Sequence, residues 1–229
     1  DLHTSFKPLL LSVLDSSITY IDGSWFKRKW NYEYFLQIDS KKEGYSLIVN
    51  PIINILIGKE LDHTNTIWTN TRGFMVDGTL GNRFSFYSSF LENQSSFPSY
   101  IQDRIFSKYP WIVPGQGESH WTNDSIFDYA IASGHISYKL SNYTNIQFGS
   151  GKNFIGDGYR SLILSDNAFN YPFLRIETSA GIFQYTNLFA EHMDISSNPT
   201  QLYTYDKKYM SLHLLSANIN NRLNISIFE

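Results

Sequence analysis

The feature that most constrains the fold is a regular alternation of polar and apolar residues in short segments. Ile136, Tyr138 and Leu140 are apolar, whereas Ser137 and Lys139 between them are polar. Successive side chains of a β-strand point to opposite faces of its sheet. The alternation therefore predicts a strand with one apolar face and one polar face.

The strand signal continues from residue 45 to the last residues of the chain. Turn signals such as Gly81-Asn82 and Ala180-Gly181 separate segments that are rich in β-branched and aromatic residues. The predicted strand segments are Tyr45–Ile57, Phe74–Leu80, Arg83–Phe90, His135–Leu140, Phe173–Ser179, Ile182–His192, Leu202–Ala217 and Arg222–Phe228. We therefore predict an all-β, antiparallel fold over residues 45–229.

Residues 1–44 have a different character and are predicted to form an N-terminal arm or cap. The segment Trp25–Trp30 is both basic and aromatic. It fits an amphipathic segment at a membrane surface, a plug-like cap, or an arm that packs on the sheet.

The connections between the predicted strands differ strongly in length. Most later turns are short, whereas residues 94–124 and 149–171 are predicted to form long loops. Long loops inside a compact domain are usually functional. Short turns at one end and long loops at the other are typical of an outer-membrane β-barrel. A soluble antiparallel sandwich also gives alternating strands, so the pattern alone leaves both architectures open.

The composition narrows the function classes. The formal net charge is −3, which provides no basic field to attract nucleic acid. The chain has no cysteine, which excludes disulfide bonds and thiolate metal sites. Charged residues make up 17% of the chain, compared with about 25% in typical soluble domains. Something other than water is therefore expected to cover part of the surface.

No apolar run of the sequence approaches the roughly 20 residues that a membrane-spanning helix needs. If the protein spans a membrane, the spanning segments must therefore be strands.

Four segments of the chain resemble one known family. They are NPIINILIGKE (Asn50–Glu60), NTRGFMVDGTLGNRFSFYSSFLENQSSFPSYIQDRI (Asn70–Ile105), QFGSGKNFIGDGYRSLILSDNAFNYPFLRIET (Gln147–Thr178) and YTNLFAEH (Tyr185–His192). They are similar to the Bacteroidota outer-membrane proteins of the gliding-motility RemB type, distant relatives of the capsule-assembly Wzi family. The resemblance covers most of the chain from about residue 45 onward. Its most specific parts are KNFIG and GYRSL, at residues 152–156 and 158–162.

The resemblance implies a transmembrane outer-membrane β-barrel in the cell outer membrane, with no enzymatic chemistry. It implies a role in gliding motility or in cell-surface polysaccharide attachment. The implied partners are the lipid bilayer, surface polysaccharide and other outer-membrane proteins. Members of this family are longer, so we expect this chain to be an N-terminal part of a larger barrel. A transport barrel, or a subunit of a larger outer-membrane machine, is the alternative function.

The glycine-rich stretch Gly149–Asp166 contains Gly-Lys, which suggests a phosphate loop. Such a loop needs a glycine five residues before the Gly-Lys pair and a hydroxyl residue after it. Ile146 and Asn153 occupy those positions, and no helix pattern follows. The spacing therefore argues against a nucleotide site, and we expect no cofactor.

In a barrel, the same stretch is expected to turn back toward a polar interior. Arg160 carries a permanent charge and presents a rigid fork of donors, so we predict a lumen charge network of Arg160 with Asp157 or Asp166. A sugar-binding role and a metal site are the alternatives, and no spacing in the stretch resembles a calcium cage. The nearby aromatic residues that favour sugar binding are Tyr159, Phe169 and Tyr171.

Two further groups of residues are candidate sites. Trp111 and Trp121 lie in the loop 94–124 and, with Tyr159, are predicted to contact a glycan or a partner, or else to pack within the loops. Ser211 and His213 suggest a barrel hydrolase, but nothing marks a nucleophile elbow and a structural pair is favoured. None of the six histidines has a zinc-site spacing. We therefore predict no catalytic residue and no metal ligand.

Overall fold

The protein is all-β with antiparallel strands, which confirms that part of the prediction. The computed structural model describes residues 6–8, 24–31, 34–40, 42–61, 66–107, 112–122, 126–194, 205–220 and 222–229. The strands are β1 (Phe6–Lys7), β2 (Leu36–Ser40), β3 (Tyr45–Lys59), β4 (Thr66–Leu80), β5 (Phe84–Ser96), β6 (Ile112–Val113), β7 (Gly117–Glu118), β8 (His120–Thr122), β9 (Ile126–Lys139), β10 (Thr144–Gly151), β11 (Phe154–Ile155), β12 (Tyr171–Ala180), β13 (Phe183–Asp194), β14 (Asp206–Asn220) and β15 (Leu223–Phe228). The helices are α1 (Trp25–Asn31) and α2 (Ser99–Ser107).

One large sheet dominates the structure. Its strand order is β2-β3-β4-β5-β9-β10-β12-β13-β14-β15, and β8 also pairs with β9. Every neighbouring pair is antiparallel. Strands β2 and β15 form the two edges, and the strands that the structure describes do not pair these edges with each other.

The connections at the two ends of this sheet differ in length. At one end, the strands are joined by the short turns 41–44, 81–83, 140–143, 181–182 and 221–222. At the other end, the connections are 60–65, 97–125, 152–170 and 195–205. Gly44, Gly81 and Gly181 have φ values of 70°, 60° and 60° in the short turns, a backbone conformation that favours glycine. We call the two ends the turn end and the loop end.

The structure refines the predicted boundaries. Residues 36–40 belong to the sheet as β2 rather than to an arm. The first residues of both predicted loops continue strands, since β5 reaches Ser96 and β10 reaches Gly151. The rest of the region 94–124 contains α2 and the short strands β6 to β8, so it is more ordered than a loop prediction suggests.

The described parts of the connections 97–125 and 152–170 pack against one face of the sheet. Helix α2 and the β6–β7 hairpin contribute Ile105 and Val113 to a buried cluster with Phe127 and Tyr129 of β9. A second buried cluster joins β1 and β11 to β12, β13 and β14. No helix within the described residues is long and apolar enough to cross a membrane.

Candidate functional site

The outer face of the large sheet, defined as the face opposite to the two buried clusters, carries a continuous apolar row. Its members are paired in register across five neighbouring strands, from β5 to β13. Ile136 and Phe148, in the middle of the row, are 49% and 57% exposed. The row consists of Phe86, Ile136, Phe148, Leu174 and Phe189.

Other exposed apolar residues extend this outer face on both sides of the row. They come from β3 and β4 on one side, from β14 and β15 on the other, and from further positions of β5, β9 and β13, and pairing in register places them on the same face. A contiguous apolar surface of this extent is unusual on a soluble monomer. These residues are Ile53, Ile55, Ile57, Phe74, Phe90, Tyr138, Phe183, Tyr185, Leu215, Ile225 and Ile227.

The inner face, on the opposite side of the same strands, is polar and buried at the corresponding positions. Ser85, Ser137, Gln147 and Arg175 pair in register one residue away from the apolar row. All four are at most 6% exposed. Gln147 Nε2 donates a hydrogen bond to Ser137 Oγ at 3.0 Å. The polarity of this part of the sheet is therefore the reverse of that in a soluble protein, where the apolar face is the buried one.

Arg175 of β12 lies on the inner face and is 1% exposed. Its Nη2 donates a hydrogen bond to the Pro8 carbonyl at 2.8 Å, and its Nη1 donates one to Asn153 Oδ1 at 3.3 Å. Its Nε is 3.3 Å from Glu177 Oε1, which is an ion pair but does not meet the criteria of a hydrogen bond. The guanidinium carbon is 5.0 Å from the ring centre of Phe6, which is a cation–π contact.

Strand β1 carries Phe6 and Lys7 into this site. It pairs with β11, with Phe6 opposite Ile155 and Lys7 opposite Phe154. Lys7 Nζ donates a hydrogen bond to the Gly156 carbonyl at 2.7 Å and lies 3.3 Å from Asp157 Oδ1. Two segments distant in sequence are thus joined on the inner face.

The predicted network of Arg160 with Asp157 or Asp166 is not found in the described part of the structure. Arg160 is exposed, and its guanidinium carbon lies 5.9 Å from the ring centre of Tyr159. Asp157 pairs with Lys7 instead, and Asp166 accepts a hydrogen bond of 3.4 Å from Ser165. Residues 156–160 form an exposed bend beyond β11, so Arg160 has no need of a partner to compensate burial. The arginine that does need partners is Arg175.

A cavity of about 290 Å³ lies at the loop end, between α2, the β6–β7 hairpin and the start of β12. Phe169 and Tyr171, two of the aromatic residues suggested for sugar binding, line it together with Arg104 and His192. The rings of Tyr171 and His192 are 4.2 Å apart between their centres. Tyr159 is not part of the lining and is 94% exposed. The cavity is large enough for a small polar or aromatic ligand.

Lys152 supports one wall of this cavity. Its Nζ donates a hydrogen bond of 2.7 Å to the carbonyl of Gly115, which lines the cavity. Burial lowers the pKa of Lys152, and the charge of Asp166 opposes this shift. Lys152 therefore connects the glycine-rich connection to the β6–β7 hairpin, rather than holding a phosphate.

The remaining predicted site residues are not brought together into a catalytic or metal site. Trp111 lies outside the described residues, and Trp121 is described only as a backbone partner of Phe127 in β8. His213 Nδ1 is 2.6 Å from Asn187 Oδ1, on the outer face, so it bonds an amide rather than Ser211. Among the residues that the structure describes, no group of three or more His, Cys, Asp or Glu side chains could hold a metal ion.

Tyr205 provides a test of how the loop end is held together. Its hydroxyl donates a hydrogen bond to the Glu118 carboxylate, and burial together with this neighbour raises the pKa of Tyr205 from 10.0 to about 12. Because the pKa in the folded protein is raised, this contact contributes its full stability below pH 10, and the contribution is lost as the pH rises to about 12. We expect an absorbance titration to include a tyrosine that ionises near pH 12, and Tyr205→Phe to remove the contribution of that tyrosine. An unchanged titration curve in this variant would contradict the contact.

Comparison of the chain with protein-family models, with curated proteins and with solved structures found no match. Function is therefore inferred from the geometry of the two faces and from the residues that occupy them.

Proposed function

We propose that the chain forms part of an outer-membrane β-barrel whose outer face contacts lipid and whose inner face surrounds a polar interior. The proposal depends on two adjacent rows of residues on the same strands. One row is apolar and exposed, and the other is polar and buried. Phe148 is exposed and Gln147 is buried, and the same reversal occurs at Ile136 and Ser137. Alternation of apolar outward and polar inward residues is the pattern of a transmembrane barrel strand.

The physical reason for the proposal is the free energy of the outer face. In water, each exposed apolar side chain forfeits roughly 1.5–3 kcal/mol that full burial would provide. Lipid hydrocarbon in contact with these side chains would remove them from water, so no second layer of protein is needed to cover them. The alternation of short turns and long connections supports the same orientation, with the loop end on the extracellular side as in bacterial outer-membrane barrels.

Within this architecture, we assign the protein a non-enzymatic role at the cell surface, in gliding motility or surface polysaccharide attachment. The resemblance to the RemB-type and Wzi proteins supports this role. Trp111, Trp121 and Tyr159 stay the residues that we propose for contact with a glycan or with another outer-membrane protein. The exposed ring of Tyr159 supports a surface contact.

Cell fractionation of the full-length protein tests the proposal. We expect it in the outer-membrane fraction, with heat-modifiable electrophoretic mobility, because a folded barrel resists detergent until it is boiled. Recovery of the untagged protein as a soluble monomer in detergent-free buffer would contradict the proposal.

A further inference from the structure

We infer that the segment Phe6–Lys7–Pro8, here called the strap, is a plug that closes the polar interior at the level of Arg175. This inference rests on the proposed barrel, because a strap can block a passage only if the sheet encloses one. The strap is not a strand of the large sheet. Its residues Phe6 and Lys7 form β1, which pairs with β11 in a separate two-stranded sheet.

Polar contacts attach the strap at three places. Arg175 Nη2 binds the Pro8 carbonyl at 2.8 Å, Lys7 Nζ binds the Gly156 carbonyl at 2.7 Å, and Lys7 pairs with Asp157 at 3.3 Å. Arg175 thus connects the strap to β12, a strand of the sheet wall. Lys7 connects the strap to the connection between β10 and β12.

Apolar packing fixes the position of the strap on the inner face. Phe6 and Ile155 are each 3% exposed and belong to one buried cluster with Phe173 of β12, Leu188 of β13 and Leu214 of β14. The strap and β11 therefore lie against three neighbouring strands of the wall. Side chains in this position occupy the space beside the buried polar row, where a solute would otherwise pass.

The contacts that attach the strap to β11 and to the sheet can open without unfolding of the sheet. Strand β1 has two residues, and the Lys7–Asp157 pair is solvent-exposed, with side-chain exposures of 38% and 63%. Short elements with few contacts open at lower free energy than the strands of a core. The strap therefore differs from the strands of the wall, which are paired over eight or more residues in β10, β12, β13 and β14.

Ion conductance of the full-length protein in planar bilayers tests the inference. The wild-type protein is expected to conduct little. The double variant Phe6→Gly/Lys7→Gly is expected to raise the conductance by about tenfold or more, because a water-filled barrel interior passes ions. The matched control is Arg83→Gly/Tyr143→Gly, which removes a basic and an aromatic side chain from two exposed turns at the turn end and should leave the conductance at the wild-type level.

Heat-modifiable mobility is measured for each variant, so that failure of the barrel proposal is distinguished from failure of the strap inference. A correctly inserted double variant that stays silent, or a wild-type protein that conducts as well as the variant, overturns the strap inference. If no variant inserts, the barrel proposal itself fails.

A disulfide cross-link between β1 and β11 tests the position of the strap without the glycine variant. Lys7 and Phe154 are paired strand neighbours, and the chain has no cysteine. Lys7→Cys/Phe154→Cys is therefore expected to form a disulfide bond in isolated envelopes treated with a mild oxidant, whereas Lys7→Cys/Tyr143→Cys, which joins β1 to an exposed residue at the turn end, should not. Absence of the first disulfide, or equal formation of both, overturns the docking of the strap.

Discussion

Replacement of Arg175 by methionine is expected to lower the free energy of unfolding by about 3–5 kcal/mol, the range measured when one member of a buried ion pair is removed. The variant leaves Glu177, whose side chain is 11% exposed, without its cationic partner. It also removes the donors that bind Asn153 and the Pro8 carbonyl. The measurement is urea unfolding of the protein in detergent or in lipid vesicles.

Two comparisons isolate the cause of this loss. Arg160→Met removes an exposed arginine and should leave the unfolding midpoint unchanged. The double variant Arg175→Met/Glu177→Gln should be more stable than Arg175→Met, because no uncompensated charge remains on the inner face. If Arg175→Met unfolds at the same urea concentration as Arg160→Met, the inner face is not the closed polar environment described here.

Replacement of Phe148 by arginine is expected to destabilise the membrane-inserted protein by about 2–4 kcal/mol, as a cation does near the midplane on the lipid face of a barrel. Phe148 lies in the middle of the apolar row, with Ile136 and Leu174 as its neighbours in register. Its side chain is 57% exposed, so a sheet surrounded by water would accept arginine there with little change. The measurement is unfolding from phosphatidylcholine vesicles.

Tyr159→Arg is the control for this prediction. Tyr159 is even more exposed than Phe148 but lies in the bend at 156–160, outside the strands of the sheet. Its replacement should leave stability unchanged. Equal effects of the two substitutions would show that the outer face does not contact hydrocarbon.

The strand pattern was predictable from the sequence because it depends on local alternation. Ile136 and Tyr138 lie on the outer face and Ser137 on the inner face, as the period of two implies. The same rule applied to β12 would have identified Arg175. It stands between Leu174 and Ile176, so that a charge occupies the face opposite to two apolar residues. The glycine-rich stretch drew attention to Arg160 instead, although no alternating strand surrounds that residue.

Long-range features could not be predicted in this way. The strap pairs Phe6 with Ile155, and no local pattern reports a contact between residues so far apart in sequence. Helix α2 did leave a signal, because Pro98 precedes it and Ile101 and Ile105 are spaced for one helical face. That signal is short, and it lies in a segment whose prolines and length favoured a loop.

Labelling of single cysteines shows directly whether the outer face contacts lipid. Because the chain has no cysteine of its own, Ile136→Cys, Phe148→Cys and Phe189→Cys can each be labelled with a fluorophore, with Tyr159→Cys as the reference outside the sheet. In vesicles, lipids brominated on their acyl chains should quench the three sheet positions strongly and the reference weakly, while iodide in the water should do the reverse. Strong iodide quenching at all four positions, with no effect of brominated lipid, would show that the outer face lies in water and not in lipid.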